Sequence, residues 1–178
     1  MQEQRGASLT DARTIRPPRR RPSLVWGVAI AAVLADQGSK IWALRALDPG
    51  VRRPLLGDLV SLRLIRNPGA AFSMLDGATY AVTVIAVLIV VRILYLAHTR
   101  ALSPVMACLF GSVVGGAVGN LLDRLLREPG VGRGHVVDFI DYFGLFVGNI
   151  ADVVIVVAAA VFGWLAVRGV RLDGTRAA

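Results

Sequence analysis

Four stretches of this chain are almost free of charge, and polar segments of unequal length separate them. Leu24 to Ala35 is uncharged, and the apolar character resumes after Asp36 and Lys40 with Ile41-Trp42-Ala43-Leu44. At helical rise, such a run is about 30 Å long, the thickness of a bilayer core. Thr79 to Ala97 is broken only by Arg92, placed near one end where its long side chain can reach the interface. Pro104 to Leu122 and Val153 to Val167 hold no charge at all. The pattern predicts an all-α polytopic membrane protein with four transmembrane helices, over about 24–44, 79–97, 104–122 and 150–167.

The polar intervals differ in kind. Across 48–77, Val60-Ser61-Leu62-Arg63-Leu64 alternates with period two, as a half-buried strand does. Asn67-Pro68-Gly69 is turn chemistry, followed by Ala70-Ala71-Phe72. A small extramembrane β-rich element is expected there. Arg124 to Phe146 is a second extramembrane interval, punctuated by Pro129-Gly130 and Gly132-Arg133-Gly134, and Asp141 within it reads as a solvated loop carboxylate. Residues 1–23 are polar, basic and proline-containing, and are expected to form a disordered arm. The membrane domain then covers 24–168 and a short tail 169–178.

Composition agrees: 55% of the 178 residues are apolar and 18% charged, where a soluble domain would carry about a quarter. The net charge of +8 would suggest nucleic acid in a soluble protein. Here Arg16, Arg19, Arg20 and Arg21 abut the first span, where topology and anionic lipid account for them, so no nucleic-acid partner is expected. The same cluster places both termini in the cytoplasm and both longer intervals on the outer face. The single cysteine, Cys108, excludes an intrachain disulfide framework, and two distant histidines give no metal site.

Within the third span, Gly111, Gly115 and Gly119 recur every fourth residue, a ridge for close helix approach. Gly116, Asn120 and Asp123 or Arg124 form a second stripe that turns polar towards the helix end and must face protein or water. Asp36 and Lys40 share one helix face, and a neutralised pair at the membrane interface explains them as well as a direct role does.

Two acids stand out. Asp138 sits in Val136-Val137-Asp138-Phe139-Ile140, an apolar setting in which a carboxylate needs a reason. Asp152 lies in the first turn of the fourth span, where Asn149 and Asp152 also have capping-box spacing. Two carboxylates brought together hold one proton between them, so one can activate water while the other polarises a carbonyl. Paired acids also relay protons in transporters, and a small proton-coupled transporter is the alternative.

Five ordered motifs extend this: Asp36-Gln37-Gly38-Ser39-Lys40; Asn67 to Phe72; Gly115-Gly116 through Asn120 to Asp123-Arg124; Gly134 to Phe139; and Asn149-Ile150-Ala151-Asp152. Together they resemble the bacterial lipoprotein signal peptidases, signal peptidase II, from about residue 24 to 168. The resemblance implies an aspartyl endopeptidase of the bacterial inner membrane with its active site on the outer face. It would need no cofactor and would cleave diacylglyceryl-prolipoproteins before the lipidated cysteine. Asp138 and Asp152 fall at the catalytic positions, and Asn67, Asn120 and Arg124 at substrate-lining ones. Asp36, Lys40, Gly116, Asp123, Asn149 and Ala151 match supporting positions. Membrane lipids are implied partners and globomycin an implied inhibitor. One departure is Val147-Gly148, where an aromatic residue usually precedes the last asparagine; a looser backbone beneath the acids is expected.

Overall fold

The computed structural model describes residues 20–69 and 78–176; the arm over 1–19 and Ala70-Ala71-Phe72 lie outside the described residues. Among the described residues, four helices are long and apolar enough to cross a membrane. Helix α1 spans Pro22–Ala46, with proline in its first turn, where a missing N–H leaves no bond unmade. Helix α2 spans Ala78–Thr99 and α3 spans Pro104–Leu126, the latter capped by Ser103, whose hydroxyl accepts from the Met106 N–H. Helix α4 spans Ile150–Val167. Helices α1 and α3 outrun the uncharged stretches because the charges that end those stretches, Asp36, Lys40, Asp123 and Arg124, are buried against protein.

The glycine ridge of α3 is the α1 contact. A Cβ at Gly111 would lie 2.6 Å from the Val25 carbonyl oxygen, and one at Gly115 2.6 Å from that of Ala29. Gly116, one position round, faces α4, where a Cβ would meet Ile155 at 2.7 Å and the Ala151 carbonyl at 2.9 Å. Any larger residue at these positions would push helices apart, so α3 forms the centre of the bundle.

The polar intervals build one four-stranded antiparallel sheet in the order β1-β2-β3-β4. Its strands are β1 Arg53–Leu56, β2 Val60–Asn67, β3 Val136–Tyr142 and β4 Phe146–Gly148. The expected strand at 60–64 is β2. The second interval, expected as loop, contributes two more strands. Val137 and Phe139 pack with Ala43, Leu47 and Leu64 in an apolar cluster at the end of α1. Asp138, between them, points to the opposite face. A second cluster of Val25, Ala97, Leu102, Met106, Ala107 and Phe110 closes the far end of the bundle.

Two expectations fail here. Asp141 is a buried strand residue, ion-paired with Arg52 at 3.3 Å and accepting the Gly144 N–H at 2.8 Å, because β3 is covered on both faces. Gly148 is held in β4 opposite Ile140, so the backbone there is pinned by the ladder. The tail folds back as a turn bridged from Val170 to Arg176, with the Ser103 N–H donating to the Leu172 carbonyl at 2.9 Å.

Candidate active site

Asp138 leaves the sheet towards α3 and α4, and Asp152 enters from the first turn of α4. Asn149 connects them: its side-chain amide donates to Asp138 Oδ1 at 2.6 Å, and its backbone N–H donates to Asp152 Oδ2 at 3.1 Å. Asn149 is also the N-cap of α4, its Oδ1 accepting the Asp152 N–H at 3.0 Å, so the capping box is fully formed. Capping and membership of the site are therefore compatible for Asp152. The cap fixes the carboxylate where the site uses it.

Three amides surround the acids, and each is oriented by a group that can only donate. Asn67 Oδ1 accepts the Gly69 N–H at 2.8 Å, which turns its amide nitrogen to Asp138 Oδ2 at 2.8 Å. Register explains the reach, since Asn67 pairs with Val136 and Asp138 with Ile65, a diagonal on one sheet face. Asn120 Oδ1 accepts from the Lys40 ammonium at 2.9 Å, which turns its amide to Asp152 Oδ1 at 2.9 Å. Asn149 is turned to Asp138 by its own capping bond. An ammonium and a backbone N–H cannot accept, so none of these amides can flip without losing a bond. Burial pushes the Asp138 carboxyl up to about 6; the bonds from Asn67 and Asn149 oppose the rise, and the charge of Asp152 adds to it.

Beneath lies an ionic cluster. Lys40 Nζ is 2.8 Å from Asp36 Oδ2 and 2.8 Å from Asp123 Oδ2, with all three side chains at 0–1% exposure. The pair is therefore part of the protein interior, not an interface neutraliser. Asp36 Oδ1 accepts the Ala151 N–H at 3.1 Å, and Asp123 Oδ2 accepts the Val137 N–H at 3.1 Å. Each buried acid thus grips the backbone one residue before a site acid, Asp152 in the first case and Asp138 in the second. Two contributors lie beyond the expected site residues. Gln37 donates to the Gly119 carbonyl at 3.0 Å, and Arg127 Nε lies 2.7 Å from Asp123 Oδ1. The spacing of four from Asp123 to Arg127 is a signal that could have found the second.

Arg124 is 8% exposed, and its Nη1 has no hydrogen-bond partner among the described residues. With Asn120 it lines a cavity of about 190 Å³ between α2, α3 and α4, otherwise walled by apolar side chains such as Val82, Ala117 and Ile155. A groove of about 340 Å³ runs on the other side of α4, lined by Tyr142, Phe146, Asp152, Val153, Val156 and Val157. The structure therefore brings together every expected site residue: Asp138, Asp152, Asn67, Asn120, Arg124 and Asn149 at the site, Asp36, Lys40 and Asp123 below it, and Gly116 and Ala151 in the α3–α4 contact.

The family model for signal peptidase (SPase) II matches residues 28–168. The chain belongs to the signal peptidase II family. It is 44% identical over 156 residues to the lipoprotein signal peptidase of Rhodococcus jostii (strain RHA1), covering 88% of this chain and 78% of that protein. It is 42% identical over 155 residues to that of Mycobacterium avium (strain 104), with 84% of each covered. Two solved structures titled as bacterial membrane enzymes share the fold. The one at 1.9 Å has a TM-score of 0.72 and 24% identity over 82% of this chain and 94% of that chain. The one at 2.3 Å has a TM-score of 0.68 and 25% identity over 82% and 88%. This family member is a protease and a multi-pass membrane protein, and the transporter reading is not favoured.

Proposed function

We propose that the protein removes signal peptides from diacylglyceryl-modified prolipoproteins, cleaving before the lipidated cysteine with Asp138 and Asp152 as an aspartyl dyad. The observation that carries this reading is the shared Asn149, bonded to both carboxylates while no cation forms an ion pair with either among the described residues. An acid clamped by a cation is committed to its charged form. These two are surrounded by neutral amides, so one proton can move between roles.

In the reaction, the ionised carboxylate takes a proton from a water whose oxygen attacks the scissile carbonyl carbon. The protonated partner donates to the carbonyl oxygen, giving a neutral tetrahedral intermediate. Collapse returns that proton to a carboxylate as the C–N bond breaks, and the leaving cysteine nitrogen takes the other. Asn120 and Arg124 line the substrate channel, the unpartnered Arg124 N–H facing a peptide carbonyl. Asn67 binds from the sheet, and the ionic cluster of Asp36, Lys40 and Asp123 holds both acid-bearing backbones. Residues 24–168 form the peptidase unit, with the sheet on the outer face of the bacterial inner membrane and both termini in the cytoplasm. Globomycin is expected to inhibit it.

The test is purified protein mixed with a diacylglyceryl-prolipoprotein, following loss of the signal peptide. Asp138→Asn and Asp152→Asn should each lower the rate by at least about a thousandfold, the upper range for a positioned acid–base group. Undiminished cleavage in both variants refutes the dyad.

A further inference from the structure

The groove beside Asp152 has a wall that the peptidase reading leaves unexplained. Tyr142 and Phe146 face each other across the β3–β4 hairpin, with ring centres 5.9 Å apart and planes 17° from parallel. Phe146 is 52% exposed, so the ring is not held there by core burial. It lies over Gly148. A Cβ added at that position would be 2.9 Å from Phe146 Cε1 and 3.0 Å from Asp152 Oδ2. The aromatic side chain expected just before Asn149 is thus replaced from two residues upstream, and glycine is what admits the ring.

We propose that this stacked pair forms the wall of the subsite for the acyl chains of the substrate's lipid-modified residue, with Phe146 as a specificity-determining residue. The inference rests on the function proposed above. Apart from Asp152 at one end, the groove is lined by Tyr142, Phe146 and the valines at 153, 156 and 157, which share one face of α4 by their spacing of three and four. Those valines are 38%, 65% and 56% exposed along a membrane-spanning helix, so the groove opens to hydrocarbon along its length. A peptide backbone laid there would leave its N–H and C=O groups unbonded, whereas an acyl chain has none to satisfy. The groove begins at a reacting carboxylate, so its occupant is attached close to the scissile bond. An acyl chain on the residue next to that bond meets both conditions.

The experiment compares substrates that differ only in acyl length, dipalmitoylglyceryl against dibutyrylglyceryl prolipoprotein. Phe146→Ala should lower kcat/KM for the long-chain substrate about tenfold or more, the scale of losing contact with a few methylenes. The loss should lie in KM, leave kcat in place and barely alter the short-chain substrate, and Phe146→Trp should restore the preference. Val156→Phe fills the groove from the helix side without touching the hairpin and should also disfavour the long chain selectively. Equal losses on both substrates, a fall in kcat alone, or unchanged kinetics in both variants would overturn the assignment. If Asp138→Asn still cleaves, it is the peptidase reading itself that fails, a result independent of acyl length.

Discussion

Asp36 and Asp123 each accept from the backbone N–H one residue before a site acid, Asp152 and Asp138 respectively, yet the two pairs of acids are built in opposite ways. The first pair shares one ammonium, with both contacts at 2.8 Å, and is further tied by backbone N–H groups. Among the described residues, the second pair receives only amide and backbone donors. A buried ion pair locks charge and geometry but has no proton to spare. Amide solvation holds geometry while leaving the protonation state open. The cluster therefore serves as the foundation and the amide-ringed pair as the chemistry, and because the former grips the residues preceding the latter, damage to one should be separable from damage to the other.

The sharpest separation is in activity, where the Asp138 and Asp152 variants should be dead but folded. Lys40→Met should do the reverse at the level of stability. It strands two buried carboxylates, and removing one partner of such a cluster typically costs about 3–5 kcal/mol. Unfolding of the detergent-solubilised protein by denaturant reports this directly, and a loss under about 1 kcal/mol would erase the distinction between the pairs.

Asp138 itself should respond to pH in the sense of a group that folding keeps protonated. Its folded pKa of about 6 lies above the ordinary 3.8, so between those values the folded state binds more protons than the unfolded one. Stability from this group therefore falls as pH rises through that window. Relative to wild type, Asp138→Asn should gain about 1–3 kcal/mol from pH 4 to pH 6 and level off beyond, whatever its constant offset from altered hydrogen bonding. A difference that is flat with pH would mean that burial does not penalise the Asp138 charge. Asn67→Ala removes a bond that favours the ionised form, and such bonds contribute about 1.5–3 kcal/mol. The alkaline limb of the cleavage–pH profile, where Asp138 gives up the proton the pair shares, should then move upward by about one unit. A downward movement would contradict the hydrogen-bond direction.

How much of this was legible beforehand follows from physical range. The four spans were readable because lipid tolerates so little charge that uncharged runs are diagnostic. Strand β3 was not, because Val136-Val137-Asp138-Phe139-Ile140 lacks alternation. The strand is covered on both faces, Val137 and Phe139 by the end of α1 and Asp138 by the site, and doubly covered strands lose period two. Asp141 was misread for the same reason. The capping box of Asn149 and Asp152 was visible as local spacing. The grips of Asp36 on Ala151 and of Asp123 on Val137 bridge 115 and 14 residues, and no local pattern announces them. Asp36 and Lys40 looked like an interface pair because helical spacing reports a shared face and says nothing about what covers it.

Asp48 supplies the weak end of the comparison. Its Oδ2 is 2.6 Å from Arg53 Nη2, shorter than either contact in the Lys40 cluster, so distance alone would rank it first. Its side chain, however, is 70% exposed and that of Arg53 50% exposed. Water already solvates both charges there, and salt screens what attraction remains, so exposed pairs of this kind contribute about 0–1 kcal/mol. Asp48→Asn should therefore change unfolding stability by no more than about 0.5 kcal/mol and leave cleavage unaltered, with any residual effect vanishing in high salt. Because Arg53 also donates to the Ala46 carbonyl at 3.3 Å, the arginine keeps a partner after the change. A large loss in this variant would mean that ion-pair distance, not burial, sets the strength of these contacts, and the division between foundation and chemistry would have to be drawn on other grounds.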